Sequence, residues 1–308
     1  IGYNYITAKE RSMNVRGKVF VVTGAGNGIA REVTLQLLAK GARVAGVDLN
    51  GKGLEETAAL ATATATTTTT ATATPSADRF TQHVVNITDR EAVAALPAAV
   101  KEAHGQIDGL LNIAGVIQQF VKIIDLPFSE IEKVMNVNFW GVINTVKAFL
   151  PELIERPEAA ILNVSSMGAY APVPGQAAYG TSKAAVRLLT EALYAQLMDT
   201  NVAITTIFPG AIATNIAQNS GVSIGEAAAG SASEENAHGG NTSAGNEGAP
   251  THKTTPAPEA ARQIIEALEK GKFRATVGAD ATAMDRIARL SPKKATELIA
   301  KQMGDLLG

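Results

Sequence analysis

Seven short runs of β-branched and aliphatic residues recur along the chain: KVFVVTG, ARVAGVD, TQHVVNI, GLLNIAG, AAILNVSS, VAITTIFPG and FRATVG. Between them lie longer stretches of helical periodicity, over Asn27 to Lys40, Gly51 to Leu60, Asp89 to His104, Phe128 to Leu150, Gln176 to Met198 and Pro258 to Lys270. A parallel strand pair needs a long crossover and is covered on both faces, so its strands read as nearly unbroken apolar runs. The alternation therefore predicts an α/β fold: a doubly wound parallel sheet of about seven strands with helices on both faces. A last stretch, Ala281 to Leu307, reads as two short helices split by Ser291-Pro292.

With 308 residues, 46% of them hydrophobic, the chain is long enough to close one large core. Residues 13–308 are expected to form a single domain, and residues 1–12, which lack periodicity, a leader outside it. Two stretches break the pattern. Residues 61–74 alternate Ala and Thr, and residues 225–256 are rich in Gly, Ala, Ser, Asn and Glu. Both are expected to be disordered surface insertions, because neither carries enough apolar surface to order itself. The second follows the sixth strand, where it would extend a lid over a site or be a loop expansion without a role.

The first run ends in TGAGNGIA and opens a helix. Gly24, Gly26 and Gly28 allow a tight turn and a close backbone approach to a pyrophosphate, which the helix N-terminus attracts. Asp48 ends the second run, 24 residues after Gly24, where an acid takes the hydroxyls of an adenosine ribose. The sheet is then Rossmann-like. A 2′-phosphate carries roughly −1.5 to −2 charges and would be repelled by Asp48. No Arg or Lys stands in the turn or directly after Asp48, so the expected cofactor is NAD.

In AAYGTSKAAV, Tyr179 and Lys183 are four residues apart and share one helical face. An ammonium ~4 Å from a phenol favours ionisation by roughly 4 kcal/mol, enough to lower a pKa from ~10 toward ~7 before burial is counted. Such a tyrosine can exchange protons at neutral pH. The spacing alone also describes a surface pair, and Tyr5 and Lys9 repeat it.

With the turn, Asp48 and the Tyr/Lys pair in one chain, the sequence resembles the short-chain dehydrogenase/reductase family from about Asn14 to Val277. TGAGNGIA resembles its TGxxxGxG turn, with Ala30 for the last glycine, and NIAG (Asn112 to Gly115) resembles its NNAG, with Ile113 for the second asparagine. NVNFWG places Asn138 at the family's catalytic asparagine. NVSSMG places Ser166 thirteen residues before Tyr179, and FPGAIAT resembles the family's PG motif. The resemblance implies a hydride-transferring enzyme. Ser166 would hydrogen-bond the carbonyl oxygen and Tyr179 would move the proton. Lys183 would lower the phenol pKa and bind the nicotinamide ribose, and Asn138 would hold a water linking Lys183 to solvent.

Carried over position by position, the resemblance implies cofactor contacts from Gly24, Gly26, Asn27, Gly28 and Ile29 in the turn, and from Asp48 and Leu49 after the second strand. Asn86 and Ile87 follow the third strand; Asn112, Ala114 and Gly115 end the fourth. Tyr179, Lys183, Pro209, Gly210, Ile212 and Thr214 would complete the groove. Substrate contacts are expected from Gln118, Met167, Tyr170 and Gln176. These segments are mostly apolar and carry no arginine, which suits a neutral secondary alcohol or ketone better than a carboxylate. An inactive dinucleotide-binding protein of the same fold, and an NADP-dependent carbonyl reductase, are the alternatives.

Other classes are disfavoured. The net charge is −2 and no basic run appears, so no nucleic-acid partner is expected. There is no cysteine, and the four histidines show no metal-binding spacing, so no metal is expected. No apolar run reaches the ~18 residues of a membrane span, and the expected location is cytoplasmic. Apolar residues around much of the Phe128 to Leu150 and Gln176 to Met198 helices, and the family's habit of pairing them, imply a homo-oligomer, with a tetramer expected.

Overall fold

The structure, a computed structural model, describes residues 11–66, 79–222 and 254–304. At its centre β1 (Val19–Thr23), buried along its whole length, pairs with β2 (Arg43–Asp48) and β4 (Gly109–Asn112). With β3 (Phe80–Val84), β5 (Ala159–Val164), β6 (Val202–Pro209) and β9 (Arg274–Val277) these make a seven-stranded sheet, ordered β3-β2-β1-β4-β5-β6-β9. Every pairing in it is parallel. The fold is the expected Rossmann-like single α/β domain. Its strand order reverses at β1 and β4, and a ligand crevice forms beyond the carboxyl ends of the strands at such a reversal.

Period-two alternation divides the core. Phe20 and Val22 face a cluster with α1 (Gly28–Ala39), α2 (Gly51–Thr66) and α8 (Ala257–Glu269). Val19 and Val21 face the other side, against α3 (Arg90–His104), α5 (Gly141–Ile154) and α6 (Ala177–Gln196). Leu37, Phe149 and Ile161 are fully buried, each stabilising the fold by roughly 1.5–3 kcal/mol relative to exposure. The helix ends follow local chemistry. Asn27 caps α1 by accepting from Gly28 N, Asp89 caps α3 by accepting from Ala92 N, and Gly105 ends α3 in the left-handed region. As the Ser291-Pro292 break predicts, the chain closes in two short helices, α9 (Ala279–Leu290) and α10 (Pro292–Met303). Among the described residues no helix is long and apolar enough to cross a membrane.

Four boundaries differ from the sequence reading. The helix expected over Phe128 to Leu150 is α4 (Phe128–Met135), a π-helical turn (Asn136–Trp140), and then α5, running on to Ile154. The Ala/Thr stretch begins as helix, because α2 continues to Thr66 with Ala61 buried against the core; alanine is the strongest helix former. Arg11, assigned to the leader, donates to the carbonyls of Val202 and Met198. Residues 254–256 belong to the fold rather than to the second insertion: Thr255–Pro256 forms β8, which pairs with β7 (Ile212–Ala213). Residues 67–74 and 225–253, and the Tyr5/Lys9 pair, lie outside the described residues.

Candidate active site

The glycine turn lies against the ends of β2 and β4. Gly24 (φ 79°) donates its N–H to Val47 O at 2.7 Å, and a β-carbon on it would lie 3.0 Å from Ala114 Cα. Asp48, at the end of β2, accepts from Gly26 N (2.9 Å) through Oδ2 and from Asn50 N (2.8 Å) through Oδ1. The carboxylate therefore sits directly on the turn. Leu49 beside it is 69% exposed. Asn27, besides capping α1, donates to Asn219 Oδ1 at 3.2 Å at the end of the short helix α7 (Ile216–Asn219), and a β-carbon on Gly28 would lie 3.8 Å from Thr214. The segment after β6 thus reaches down onto the turn, with Ile212 at its base in β7.

One cation was missed by the sequence reading. Arg31, one turn into α1, reaches Gly26 O, and its Nη2 pairs with Glu56 at 2.8 Å. It is distant in sequence from Asp48, yet the two hold the same glycine, Arg31 at the carbonyl and Asp48 at the N–H of Gly26. Glu56 neutralises it.

At the other end of the groove, four chain segments converge. The π-helical turn places Asn138 at its centre, fully buried; such turns widen a helix locally and recur at functional sites. Asn138 Oδ1 accepts from Val116 N (2.8 Å), while Nδ2 donates to Val116 O (2.9 Å) and Ser182 Oγ (3.0 Å). Its amide therefore ties α6 to the chain after β4. Ser166 follows β5 in extended conformation, its Oγ accepting from Gly168 N at 3.0 Å. Tyr179 and Lys183 rise from the first two turns of α6.

The ionisation of the Tyr/Lys pair differs from the spacing argument. Burial pushes the Tyr179 phenol up, with a hydrogen bond to Ser166 pulling it partly back. Burial also lowers Lys183, to about 8. The ammonium lies 5.9 Å from the Tyr179 ring centroid and donates to Val164 O at 3.0 Å. The lysine reaches past the ring to the end of β5. Desolvation therefore outweighs the attraction that the i, i+4 spacing suggested.

Several residues assigned to cofactor or substrate have other partners. Asn112 joins a buried chain: Thr145 Oγ1 donates to Asn112 Oδ1, Asn112 Nδ2 to Asn163 Oδ1, and Asn163 Nδ2 to Thr190 Oγ1. That chain fixes β4, β5, α5 and α6 against one another, and the Asn112 side chain is turned into it. Asn86 Oδ1 accepts from Thr88, and Ile87 O accepts from Asn144. Gln118, fully buried, accepts from Tyr179 N (2.8 Å) and donates to Gly175 O (3.1 Å), while Gln176 donates to Gln118 O (2.7 Å). The two glutamines tie down the start of α6, where no side chain caps the helix. Tyr170 donates to Ala281 O at 3.0 Å and packs with Met167 against α9 and α10. These four were expected to touch substrate. The structure uses three of them, Gln118, Gln176 and Tyr170, as hydrogen-bonded ties between segments.

A glycine turn and an acid at the ends of the first two strands, with a serine, a tyrosine and a lysine gathered beyond β5, define a nucleotide-dependent oxidoreductase of α/β type. The sequence profile of the short chain dehydrogenases matches residues 18–223. The Mycobacterium tuberculosis protein SadH, named as an oxidoreductase, is 35% identical over 287 residues, covering 92% of this chain and 94% of its own. A short chain dehydrogenase/reductase from Burkholderia phymatum, solved in complex with NAD, superposes with a TM-score of 0.72 at 24% identity, over 92% of this chain and 96% of that one. One from Burkholderia cenocepacia, in complex with NADP, gives 0.70 at 23% identity, over 93% and 99%. This chain belongs to the short-chain dehydrogenase/reductase family. It is an oxidoreductase of the short-chain dehydrogenase/reductase type.

Proposed function

We propose that the protein transfers hydride between NAD and a neutral secondary alcohol or ketone, with Tyr179 moving the proton. The observation that carries this reading is the gathering of Ser166, Tyr179 and Lys183 at the groove end opposite Asp48, with aliphatic clusters packed against the Tyr179 side chain. Tyr179 packs against two buried apolar clusters, one of Ile117, Ala217 and Val222 and the other of Leu126, Val134 and Ala178. An open groove of about 420 Å³, lined mostly by apolar residues such as Val121, Pro172, Val173 and Ala300 with Lys122 and Thr296 as its polar members, shares Val121 with that setting and suits a largely apolar substrate arm.

The glycine turn fits a dinucleotide: Gly24 takes a left-handed φ of 79°, and a β-carbon on Gly24 or Gly26 would crowd Ala114 or Asp48, so this tight turn at the N-terminus of α1 calls for glycines. When bound, the nicotinamide supplies the hydride acceptor or donor. Ser166 donates to the substrate oxygen and stabilises charge developing on it. Tyr179 gives its proton to a ketone oxygen or takes one from an alcohol. With the phenol raised and Lys183 at about 8, the pair rests as phenol and ammonium at pH 7. The proton is then already in place for reduction.

Asp48 makes no ion pair among the described residues and Arg31 is paired with Glu56, which supports NAD over NADP. For assembly, exposed Leu188 (68%), Trp140 (42%) and Ile154 (38%) on the α5 and α6 side support a homo-oligomer, a tetramer by the family's habit. A screen of secondary alcohols with NAD, followed by NADH absorbance, tests the function. Turnover of 2-alkanols or cycloalkanols supports it, and turnover confined to carboxylate-bearing alcohols contradicts it.

A further inference from the structure

The loop leaving β6 is held from a side that the glycine turn does not supply. Asp280, in the first turn of α9, accepts from Ala211 N at 2.7 Å through Oδ2. A β-carbon on Gly210 would run into both oxygens of that carboxylate. Gly278 (φ 95°) leaves room for it from the other direction, and a β-carbon there would also lie 2.9 Å from Thr255 Oγ1. Thr255 donates its N–H to Ala211 O at 2.9 Å, and Gly210 N donates to Val277 O at 2.9 Å. Both polar groups of Ala211 are therefore fixed, one by Asp280 and one by Thr255. The next residue on α9 holds a second wall of the site, because Ala281 O accepts from the Tyr170 hydroxyl, four residues beyond Ser166.

We propose that Asp280 is a positioning residue for the nicotinamide end of the groove, setting the backbone of Pro209 to Thr214 so that it meets the carboxamide. This rests on the functional reading above, in which that loop closes over nicotinamide. Two glycines, 210 and 278, make space for one side chain, and that side chain is an acceptor fixed on a helix anchored in the C-terminal pair. Loss of a hydrogen bond to an ionised carboxylate corresponds to roughly ten- to a hundred-fold in an equilibrium constant. The loss is felt only by ligands that touch the loop.

The test compares NADH with ADP-ribose, which lacks nicotinamide, on the full chain, by fluorescence titration and calorimetry. Asp280→Ala weakens NADH about tenfold or more and leaves ADP-ribose within about twofold. Asp280→Asn, which keeps an acceptor oxygen, recovers most of the NADH affinity. Gly210→Ala weakens NADH in the wild-type background and costs little on top of Asp280→Ala, where the obstructing carboxylate is gone. Unchanged NADH affinity in Asp280→Ala, or equal weakening of NADH and ADP-ribose, overturns the proposal while leaving the function standing. Should Asp280→Ala not fold, equal weakening of both ligands in Gly210→Ala overturns it. A wild-type protein that binds neither NADH nor NADPH overturns the functional reading and this proposal with it.

Discussion

Gly115 stands against Lys183: a β-carbon on the glycine would lie 3.1 Å from Lys183 Nζ, and 3.2 Å from Asn138 Oδ1 as well. The end of β4, the π-helical turn and α6 thus meet where no side chain beyond hydrogen fits without displacing a neighbour. Gly115→Ala is expected to fold, since a shift of a few tenths of an ångström relieves the contact. It should lower kcat about tenfold or more by moving the ammonium. Circular dichroism and steady-state kinetics check this, and an unaltered kcat would show that the position of Lys183 is not critical.

Lys183 also gives the fold a pH signature. Its pKa falls from 10.5 unfolded to about 8 folded, because burial penalises the ammonium. Between those values the unfolded chain holds a proton that the native chain has released, so stability rises with pH across about 8 to 10.5. Below pH 8 the full penalty applies. Wild type should gain on Lys183→Met by about 3 kcal/mol between pH 7 and 10.5, the worth of the shift at 1.36 kcal/mol per unit. Urea denaturation of both proteins across that range measures it. A constant difference would show that the lysine is not desolvated.

His104 makes a prediction of the same sign at acid pH. Burial and the nearby Arg43 lower it to about 4, with its Nε2 2.8 Å from Thr81 Oγ1. As pH falls from 6.5 through 4, the unfolded chain takes up a proton that the native chain refuses, and stability drops. His104→Gln should lose less stability than wild type over that window, measured as Tm at pH 4.5 and 7.

Asp48 is the discriminating residue for the cofactor. Asp48→Ala removes the repulsion toward a 2′-phosphate and also the acceptor for Gly26 N and Asn50 N. The ratio of kcat/KM for NAD over NADP should fall by about tenfold or more in the variant. Equal use of both cofactors by the wild type would contradict NAD dependence.

The sheet was legible because parallel strands buried on both faces leave β-branched runs such as VFVVT and AAILNV, which helices do not need. The π-helical turn at Asn138 was not: NVNFW carries no residue-type signal, and the periodicity runs through it with one residue extra. That Asn138, Ser166, Tyr179 and Lys183 come together could be read from spacing and resemblance, yet the ionisation of Tyr179 could not. An i, i+4 pair shares a face, but a lysine side chain is long enough to reach past its neighbour to Val164 O. The substrate assignments of Gln118 and Gln176 show the same limit. An amide in a sequence does not say whether it faces a ligand or the uncapped end of a helix. Asp280 lies in no motif, and only the packing of α9 against the end of β6 reveals it.

The central claim is that Tyr179 moves the proton, and Tyr179→Phe tests it most directly because it removes a hydroxyl and little else. Kinetics on an accepted alcohol should show turnover reduced by ~10²-fold or more. NADH affinity and Tm should remain near wild type, and Tyr5→Phe, which removes the hydroxyl of the other tyrosine spaced four residues from a lysine, should change nothing. Turnover within a few-fold of wild type in Tyr179→Phe, with NADH bound normally, would contradict the account.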